Sequence, residues 1–500
     1  MCAQTTFQKT YGGNNTDIAK CVKQTTDGGY FLVGSTYTSG AGNGDIYVLR
    51  TDSNGDTLWK KKYGSGGTDL GTSGQQTIDG GYIFCGTTSG FSAPGNKMYL
   101  LKTDLNGNLQ WSKVFLNGSA FSVLQTDDGG YIMTGTANGE LAVIRTDFAG
   151  DTLWTKLIGG SGNDVGSCIS KTQDNGFVIV GNTNSFGLGN IDMILVKIDS
   201  NGNTLFTKTY GGANDDKAAS VQQTIDGGYV VSGLTNSYGT GQSDIFLLKT
   251  DSIGNVVWSK TFGGINNDEA SSVQQTTDGG FAIAGFANYT ISSTSGHMVL
   301  VKCDSTGSLD WQHAYGKSSY NDWGYAAQQT TDGGYIVTGT TYSFSGFGGQ
   351  YDDIYLVKTN SSGSSGCFEP VYSLTVTDTL FQTASPAIST SSGLTALIHT
   401  TLVNSGGLDS THCIVVGINE TPSKQDLIVV SPIPVSDVLF INGTHEKGEV
   451  WLYSIDGKAI LHKQTSDNKT EIKIDALPVG LYVLKYKMAD QIQFIKLTKM

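Results

Sequence analysis

Seven copies of a segment about fifty residues long fill most of this chain, and they constrain its fold more than any other feature. Six copies share Asp-Gly-Gly followed by Tyr or Phe, which starts at Asp27, Asp79, Asp128, Asp226, Asp278 and Asp332. The remaining copy starts at Asp174, and successive copies start 46 to 54 residues apart. Repeats of this length with strand-like sequences are typical of a β-propeller, in which each repeat forms one four-stranded blade.

The repeat between residues 217 and 264 illustrates how a blade is predicted. Stretches with period-2 patterning flank Asp226-Gly227-Gly228, a tight turn that places Gly where φ must be positive. Two further stretches of the same kind follow this hairpin. The four predicted strands are 218–224, 229–234, 244–250 and 256–262.

Counting strands predicts how the ring of blades closes. Third strands are expected to start near Asp45, Met98, Glu140, Asp192, Asp244, His297 and Asp353. Only six repeats contain a fourth strand, marked by Trp59, Trp111, Trp154, Phe206, Trp258 and Trp311. Residues 7–13 match residues 206–212, so the N-terminal segment supplies the missing strand. The expected fold is all-β: a seven-bladed β-propeller closed by the N-terminal strand, plus a small C-terminal antiparallel β-sandwich.

Long loops on one face of this propeller are the expected binding region, because binding sites favour loops held by a rigid scaffold. Aromatic residues concentrate in the long loops of the last repeat, where they suit stacking on a sugar ring or on a partner protein. The candidates are Trp323, Tyr320, Tyr325, Tyr342, Phe344 and Phe347. The alternative is that these rings pack over the end of their own blade.

An Asp precedes the first strand of six repeats, at Asp17, Asp69, Asp164, Asp216, Asp268 and Asp322. One interpretation is a ring of carboxylates that binds Ca²⁺. The other is that each carboxylate accepts hydrogen bonds from its own turn. Recurrence in six repeats favours the second interpretation, since a single metal site seldom needs six copies.

Recognisable catalytic motifs are missing from the sequence. The repeats hold two His residues, His297 and His313, and no HExxH. The turns after the third strands superficially resemble the Asp-box of sialidases, but their spacing differs and Arg50 and Arg145 cannot supply an arginine triad. We therefore expect non-catalytic binding or adhesion. A secreted glycan-active hydrolase or lyase is the alternative, because acidic residues are abundant, and a structural surface-layer protein is a third.

The net charge limits which classes of partner are expected, and the cysteines bear on whether the compartment is oxidising. The net charge is −13, and residues 424–500 carry ten Lys and nine acidic residues, so the preceding part carries −14 and disfavours nucleic acid. No stretch reaches the ~18 apolar residues of a membrane helix. Cys21, Cys85, Cys168 and Cys303 replace small residues of the repeat. Cys367 and Cys413 lie outside the repeats and are candidates for a disulfide worth about 3–4 kcal/mol in an oxidising compartment.

The chain divides into four regions by composition. Residues 1–4 resemble the remnant of a signal peptide, and residues 5–360 hold the propeller. Residues 361–423 are rich in Ser, Thr and Gly and are expected to be a connector. Residues 424–500 read as the short strands of the sandwich.

The last region resembles the type A C-terminal sorting domain of the type IX (Por) secretion system of the Bacteroidetes. The residues that carry the resemblance are Pro432, Pro434, Asp456, Gly457, Leu477, Pro478, Gly480, Tyr482 and Lys496. Ile433 stands where the family usually has Asn. The resemblance implies export through the type IX translocon, removal of residues 424–500 by its signal peptidase, and an extracellular or outer-membrane-surface location. The repeats also resemble the DGGY-type repeats of such cargo, which names no ligand.

Overall fold

The computed structural model is an all-β structure, and no helix occurs in the part of the chain that it describes. It describes residues 5–371 except 39–42, 92–94, 289–295, 318–319 and 345–350. Beyond residue 371 it describes 373–379, 381–386, 388–391, 397–398, 402–404, 408–416, 428–431, 438–443, 449–454, 459–465, 469–478, 480–488 and 491–499. The chain divides into two compact units, Gln4–Val416 and Gly417–Met500 with Met1–Ala3. Within the described ranges, no helix has the length and apolar character needed to span a membrane.

The first unit contains strands β1 to β33. Strands β1 to β9 are Thr5–Gly12, Asp17–Gln24, Tyr30–Thr36, Asp45–Thr51, Thr57–Gly64, Asp69–Gln76, Tyr82–Thr88, Lys97–Thr103 and Leu109–Gln125. Strands β10 to β18 are Tyr131–Ala137, Glu140–Thr146, Thr152–Gly159, Asp164–Lys171, Phe177–Thr183, Asp192–Ile198, Thr204–Gly211, Asp216–Gln223 and Tyr229–Thr235. Strands β19 to β27 are Asp244–Thr250, Val256–Gly263, Asp268–Gln275, Phe281–Ala287, His297–Cys303, Leu309–Tyr315, Asp322–Gln329, Tyr335–Thr341 and Asp353–Thr359. Strands β28 to β33 are Thr375–Thr379, Gln382–Ala384, Ser389–Ser391, Leu397–Ile398, Leu402–Asn404 and Leu408–Val416.

Each sequence repeat forms a meander of four antiparallel strands, which we call a repeat sheet. Repeat sheets 1 to 7 consist of β2–β5, β6–β8 with the first half of β9, the second half of β9 with β10–β12, β13–β16, β17–β20, β21–β24, and β25–β27 with β1. Strand β1 pairs with β27 from Phe7 opposite Lys358 to Tyr11 opposite Ile354. This is the pairing that the strand count predicts. Strand β9 continues from repeat sheet 2 into repeat sheet 3, where the recurrent Asp and its loop are missing.

Neighbouring repeat sheets pack against each other in a circular order. First strands contact one another in the sequence β2, β6, β9, β13, β17, β21 and β25, and β25 in turn contacts β2. Apolar side chains fill the space between the sheets: Leu247 packs with Ile283 between sheets 5 and 6, and Phe7 packs with Leu32 between sheets 7 and 1. The third strands are almost wholly buried, which explains their continuous apolar sequences.

Glutamine side chains also link neighbouring repeat sheets. A Gln near the end of a first strand accepts, through Oε1, the backbone N–H of the tight turn in the preceding sheet. The donor and acceptor pairs are Thr26–Gln76, Ile78–Gln125, Gln173–Gln223, Ile225–Gln275, Thr277–Gln329 and Thr331–Gln24, at 2.7 to 3.0 Å. The last pair joins repeat sheet 7 to repeat sheet 1.

The segment expected to be a connector adds strands to the outside of the repeat sheets. We call β28–β33 the belt. Its strands pair in order with β20, β16, β12, β9, β5 and β1, the outermost strands of repeat sheets 5, 4, 3, 2, 1 and 7. An outer strand exposes a row of unpaired backbone groups, and an extended Ser/Thr-rich chain can satisfy them without apolar patterning.

The second unit contains strands β34 to β40, which are Ile428–Ser431, Val438–Gly443, Glu449–Ser454, Ala459–Gln464, Lys469–Lys473, Gly480–Met488 and Gln491–Lys499. They form a three-stranded sheet in the order β34-β35-β38 and a four-stranded sheet in the order β37-β36-β39-β40. Ile472 of the first sheet packs with Val450 and Leu484 of the second. The two sheets therefore share one small core.

Candidate functional site

A β-bulge recurs in the first strand of every repeat sheet, beside a glycine of the second strand. The register between the two strands shifts by one residue at this point in each sheet. The glycines are Gly34, Gly86, Gly135, Gly181, Gly233, Gly285 and Gly339. A Cβ atom at any of them would lie 1.6 to 2.0 Å from a carbonyl oxygen of the first strand. Only Gly therefore permits this close approach of the two backbones.

The bulges direct seven side chains into one cavity. A bulge leaves one residue unpaired and can re-aim its side chain. The bulge residues are Lys20, Thr72, Phe121, Ser167, Ala219, Ser271 and Tyr325, and all seven line a cavity of about 520 Å³. We call it the central cavity. Asn182 and Leu234, each next to last in a second strand, also line it, so it lies toward the long-loop ends of the sheets.

The side chains in the central cavity differ from repeat to repeat, although the backbone around them recurs. The most distinctive pair is Lys20 and Tyr325, with Lys20 Nζ 3.2 Å from the centroid of the Tyr325 ring. A cation over an aromatic face is attracted by the ring quadrupole. Lys217 and Glu269 line the same cavity. The wall therefore combines two aromatic rings, two ammonium groups and a carboxylate at positions that the fold does not constrain.

Burial perturbs the titration of these groups. It lowers the pKa of Lys20 to about 8, although Glu269 and Asp352 act in the opposite direction. It also raises the pKa of Glu269, again against the attraction of Lys20 and Lys217. The pKa of the Tyr325 hydroxyl rises to about 12 for the same reason. Such shifts are typical of charged groups held in a partly desolvated cleft.

A second group of residues extends from Lys20 toward the loops of repeat sheet 7. Burial raises the pKa of Asp352 to about 6, against the opposing effects of its hydrogen bond to Tyr342 and of Lys20. The ring of Trp323 lies 6.4 Å from that of Tyr342, edge to face. Its other neighbour is Phe286, on which it stacks at 5.2 Å and 13°. Trp323 is thus partly buried between two repeat sheets rather than presented freely.

The remaining predicted aromatic residues separate into different environments. Tyr320 is 42% exposed. Phe344 is only 7% exposed and packs against Tyr355 and Phe368, so its predicted place on an exposed binding loop is corrected to a core position. The apolar ring is buried because the chain after residue 365 covers it. Phe347 lies outside the described residues.

The six recurrent Asp residues are each buried to 1% exposure or less and are bonded within their own loops. Asp216, for example, accepts hydrogen bonds from Gly212 N and Ser237 Oγ, both at 2.7 Å, and from Thr235 Oγ1. Burial raises the pKa of Asp268 to about 7, with a smaller effect of Asp244. Among the described residues, no three His, Cys, Asp or Glu side chains are grouped as metal ligands. These contacts favour the capping role over the Ca²⁺ role.

Cysteines fall into two groups. Cys21, Cys85, Cys168 and Cys303 are free thiols, and burial raises the pKa of each. Cys367 is in a disulfide. Its carbonyl oxygen accepts a hydrogen bond from Gln8 Nε2, and the backbone of Gln8 lies opposite that of Cys413 in β33. The pairing of Cys367 with Cys413 stays a prediction.

Part of the sorting motif has a clear structural role in the second unit. Tyr482 Oη donates a 2.7 Å hydrogen bond to Pro478 O, and Leu477 packs against the small core. Gly480 begins β39 and Lys496 lies on β40. The motif residues that lie outside the described segments are Pro432, Pro434, Asp456 and Gly457.

Sequence reasoning missed Lys20, Lys217 and Glu269. One signal in the sequence could have found Lys20. Aligned repeats place a different residue type at the bulge position in almost every copy, whereas the Gly beside it never changes. In a repeat protein, the fold does not determine the residue type at such a position, which is therefore available for function.

Comparisons with known proteins identify a family for the second unit but give only weak structural similarity for the rest of the chain. Residues 429–499 match the model of the secretion system C-terminal sorting domain. No curated protein sequence matches the chain. Among solved structures, a protein of unknown function from Dyadobacter fermentans DSM 18053 is 11% identical, with 72% of this chain and 99% of that chain covered and a TM-score of 0.41.

Two other solved structures are similar over nearly the whole chain, again at low identity. PorZ, described as an essential surface component of the type IX secretion system of Porphyromonas gingivalis, is 8% identical, with coverage of 99% and 100% and a TM-score of 0.19. A GH43_12 protein from a capybara gut metagenome is 10% identical, with coverage of 100% and 96% and a TM-score of 0.28. Structural likeness this weak assigns no activity. The sorting domain does identify the destination of this chain, which is type IX secretion cargo exported to the cell surface or the extracellular space.

Proposed function

We propose that repeat sheets 1–7 are the blades of a closed seven-bladed β-propeller that acts outside the cell as a non-catalytic binding or adhesion protein. The circular contacts of the first strands and the Gln24–Thr331 link support the closed ring. Its ligand enters the central cavity, which is the mouth of the propeller channel. The observation that carries the proposal is the convergence of seven bulge residues, of six different types, in that one cavity.

A channel below the mouth is supported by a second cavity of about 330 Å³. It shares Lys20 and Tyr325 with the central cavity and continues along the first strands past Lys23 and Gln222. The ligand class that suits the mouth is a glycan or a short protein segment. Tyr325 and Phe121 offer aromatic surface, and Lys20, Lys217 and Glu269 offer charged hydrogen-bonding groups beside it.

Binding rather than catalysis is favoured by the composition of the described cavity wall. Glu269 is its one carboxylate, and no His or Cys lines it. Common hydrolytic sites contain a pair of facing carboxylates, or a Ser or Cys nucleophile with a His base. Neither arrangement occurs among the described lining residues.

A glycan microarray probed with the full chain tests the proposal. Tyr325→Ala and Lys20→Met should each abolish or weaken binding, because they remove the paired aromatic and cationic groups. Ser271→Ala is the matched control, since it changes another bulge residue of the same cavity by a single hydroxyl. Binding that survives both Tyr325→Ala and Lys20→Met would exclude the central cavity as the site.

A secreted hydrolase or lyase is the second candidate, favoured by one observation. Glu269 and Asp352 both carry raised pKa values near Lys20, and a carboxyl group that stays protonated can act as a general acid. Polysaccharide turnover that is lost in Glu269→Gln would support this candidate over plain binding. A chain that neither binds nor turns over any glycan would support a structural surface protein.

Residues 424–500 are proposed to contact the type IX translocon and to be removed by its signal peptidase. The match at 429–499 supports this role. The intact mass of the secreted protein tests it. A secreted chain that retains Tyr482 would contradict removal of the tail.

A further inference from the structure

A cavity of about 630 Å³ opens on the face of the tight turns, between repeat sheets 2 and 3. Trp111 and Tyr131 line it, and Ile78 and Phe148 flank it. We call it the turn groove. It lies at the opposite ends of the strands from the central cavity, and the two share no lining residue.

The flanking apolar side chains are almost fully exposed. Ile78 is 83% exposed and Phe148 is 73% exposed. The residues equivalent to Phe148 are Ser53, Leu105, Ser200, Ser252, Ser305 and Ser361. The residues equivalent to Ile78 are Thr26, Asp127, Gln173, Ile225, Thr277 and Thr331. The turn groove is the one junction of neighbouring repeats at which both positions are apolar.

The fold itself does not require Phe148. Its turn is held by Asp147 Oδ1, which accepts the backbone N–H groups of Ala149 at 2.9 Å and Asp151 at 2.8 Å. The same pattern holds the turn at Asp199, where Ser200 takes the place of Phe148. Phe148 and Ile78 together give this cavity an exposed apolar edge, and an apolar patch of this kind is typical of an interaction site.

The floor of the groove is fixed in position. The Trp111 ring lies 5.7 Å from the Tyr131 ring at 61°. A Cβ atom at Gly150 would lie 2.8 Å from the Trp111 ring, so Gly150 lets the turn close onto the indole. A preorganised aromatic floor loses little conformational entropy when a ligand binds.

Each carboxylate of the groove is paired with a cation of the protein. Asp79 pairs with Lys102 at 2.8 Å, and Lys102 also donates to Gln110 Oε1 at 3.2 Å. The other two pairs are Asp128 with Arg145 and Asp127 with Lys171. The groove thus has hydrogen-bonding groups beside its aromatic rings but little net charge, which suits an uncharged polyhydroxyl ligand better than an ionic one.

We propose that the turn groove is a second binding site, for a neutral glycan. A pyranose ring would stack on Phe148 beside Trp111, and its hydroxyls would bond to Gln110 and to the remaining lone pairs of the Asp79 and Asp127 carboxylates. Export to the cell surface or the extracellular space would place the groove where a glycan ligand is available. This site is independent of ligand binding in the central cavity.

Isothermal titration of the full chain with neutral hexasaccharides of glucose, xylose and mannose tests the site. Phe148→Ser, which installs the residue of five other repeats, should weaken binding about tenfold or more. Ile78→Thr should weaken it as well. Leu105→Ser is the matched control at the same turn position outside the groove, and it should leave the affinity unchanged.

The outcomes separate this site from the central cavity. Affinity that is unchanged in Tyr325→Ala but reduced in Phe148→Ser supports the turn groove. No binding of any of these hexasaccharides, or binding that Phe148→Ser does not affect, overturns the proposal. Affinity that falls steeply with added salt would contradict an uncharged ligand class.

Discussion

Lys20 of the first repeat lies with its Nζ atom 3.2 Å from the ring centroid of Tyr325 of the last repeat. The two residues meet because repeat sheets 1 and 7 are neighbours through the contact of β2 with β25. Both occupy the bulge position of their strands, and both line the central cavity. The candidate site therefore depends on how the chain closes on itself.

The glycine beside each bulge is expected to be irreplaceable. In Gly233→Ala, the new Cβ atom would lie 2.0 Å from the carbonyl oxygen of Lys217. The strands must then separate, and we expect the free energy of unfolding to fall by about 2–4 kcal/mol in chemical denaturation. Gly66→Ala is the control, because its Cβ atom would meet nothing within 4 Å. Equal stability of the two variants would contradict the tight approach of the strands.

Asp268 is expected to make stability depend on pH above the acid range. Its pKa is about 7 in the folded protein, against an ordinary Asp value of 3.8. Between these values the folded state holds more protons than the unfolded state, so stability falls as pH rises. Asn does not titrate, so the Asp268→Asn variant should not lose this stability as pH rises. Its melting temperature should therefore rise relative to that of the unmutated protein between pH 5 and pH 8. Parallel melting curves across this range would contradict a raised pKa.

Carboxylates of the tight turns should act in the opposite direction. Burial alone would raise the pKa of Asp226, but hydrogen bonds from Thr224, Lys249 and Gly228 lower it to about 2. Asp174 and Asp278 have the same arrangement and pKa values of about 2. Their stabilisation is present above pH 4 and is lost as pH falls toward 2. Replacing all three by Asn should lower the melting temperature at pH 7 and have little effect at pH 2. A loss that is equal at both pH values would contradict ionised carboxylates.

Much of the fold could be predicted because it follows from local patterning. Third strands begin at the predicted residues, except that one begins at Lys97 instead of Met98. The N-terminal strand was identifiable because residues 7–13 repeat the sequence of a fourth strand. The belt could not be predicted, since its Ser/Thr-rich sequence resembles a linker. Its segments become strands by pairing with the outermost strands of the repeat sheets.

The candidate site was less accessible to prediction. A bulge is a backbone irregularity that leaves no trace in hydrophobic periodicity. Lys20 at one bulge and Glu269, two residues before another, therefore read as ordinary strand residues. Aromatic residues in long loops were the visible alternative, and Phe344 shows why that signal is ambiguous. A loop ring is equally suited to packing over the sheet beneath it.

Cys367 is expected to be joined to Cys413. The segment between them includes most of the belt, and the disulfide would tie β33 beside β1. Cys367→Ser should lower the free energy of unfolding by about 3–4 kcal/mol under oxidising conditions. The same substitution should have no effect under reducing conditions. Mass spectrometry of unreduced peptides checks the pairing directly, and a link from Cys367 to Cys2 would contradict it.

The pairing of the N-terminal strand β1 with β27 is the relationship on which the proposed ring and its binding cavity depend. Strand β1 is paired on both sides, with β27 and with β33. Deleting residues 1–13 should therefore lower the melting temperature sharply. Hydrogen exchange of the backbone amides of residues 5–12 in the full chain is the most direct measurement. Protection comparable to that of the buried third strands is expected, and exchange at the rate of an unstructured peptide would contradict a ring closed by the N-terminus.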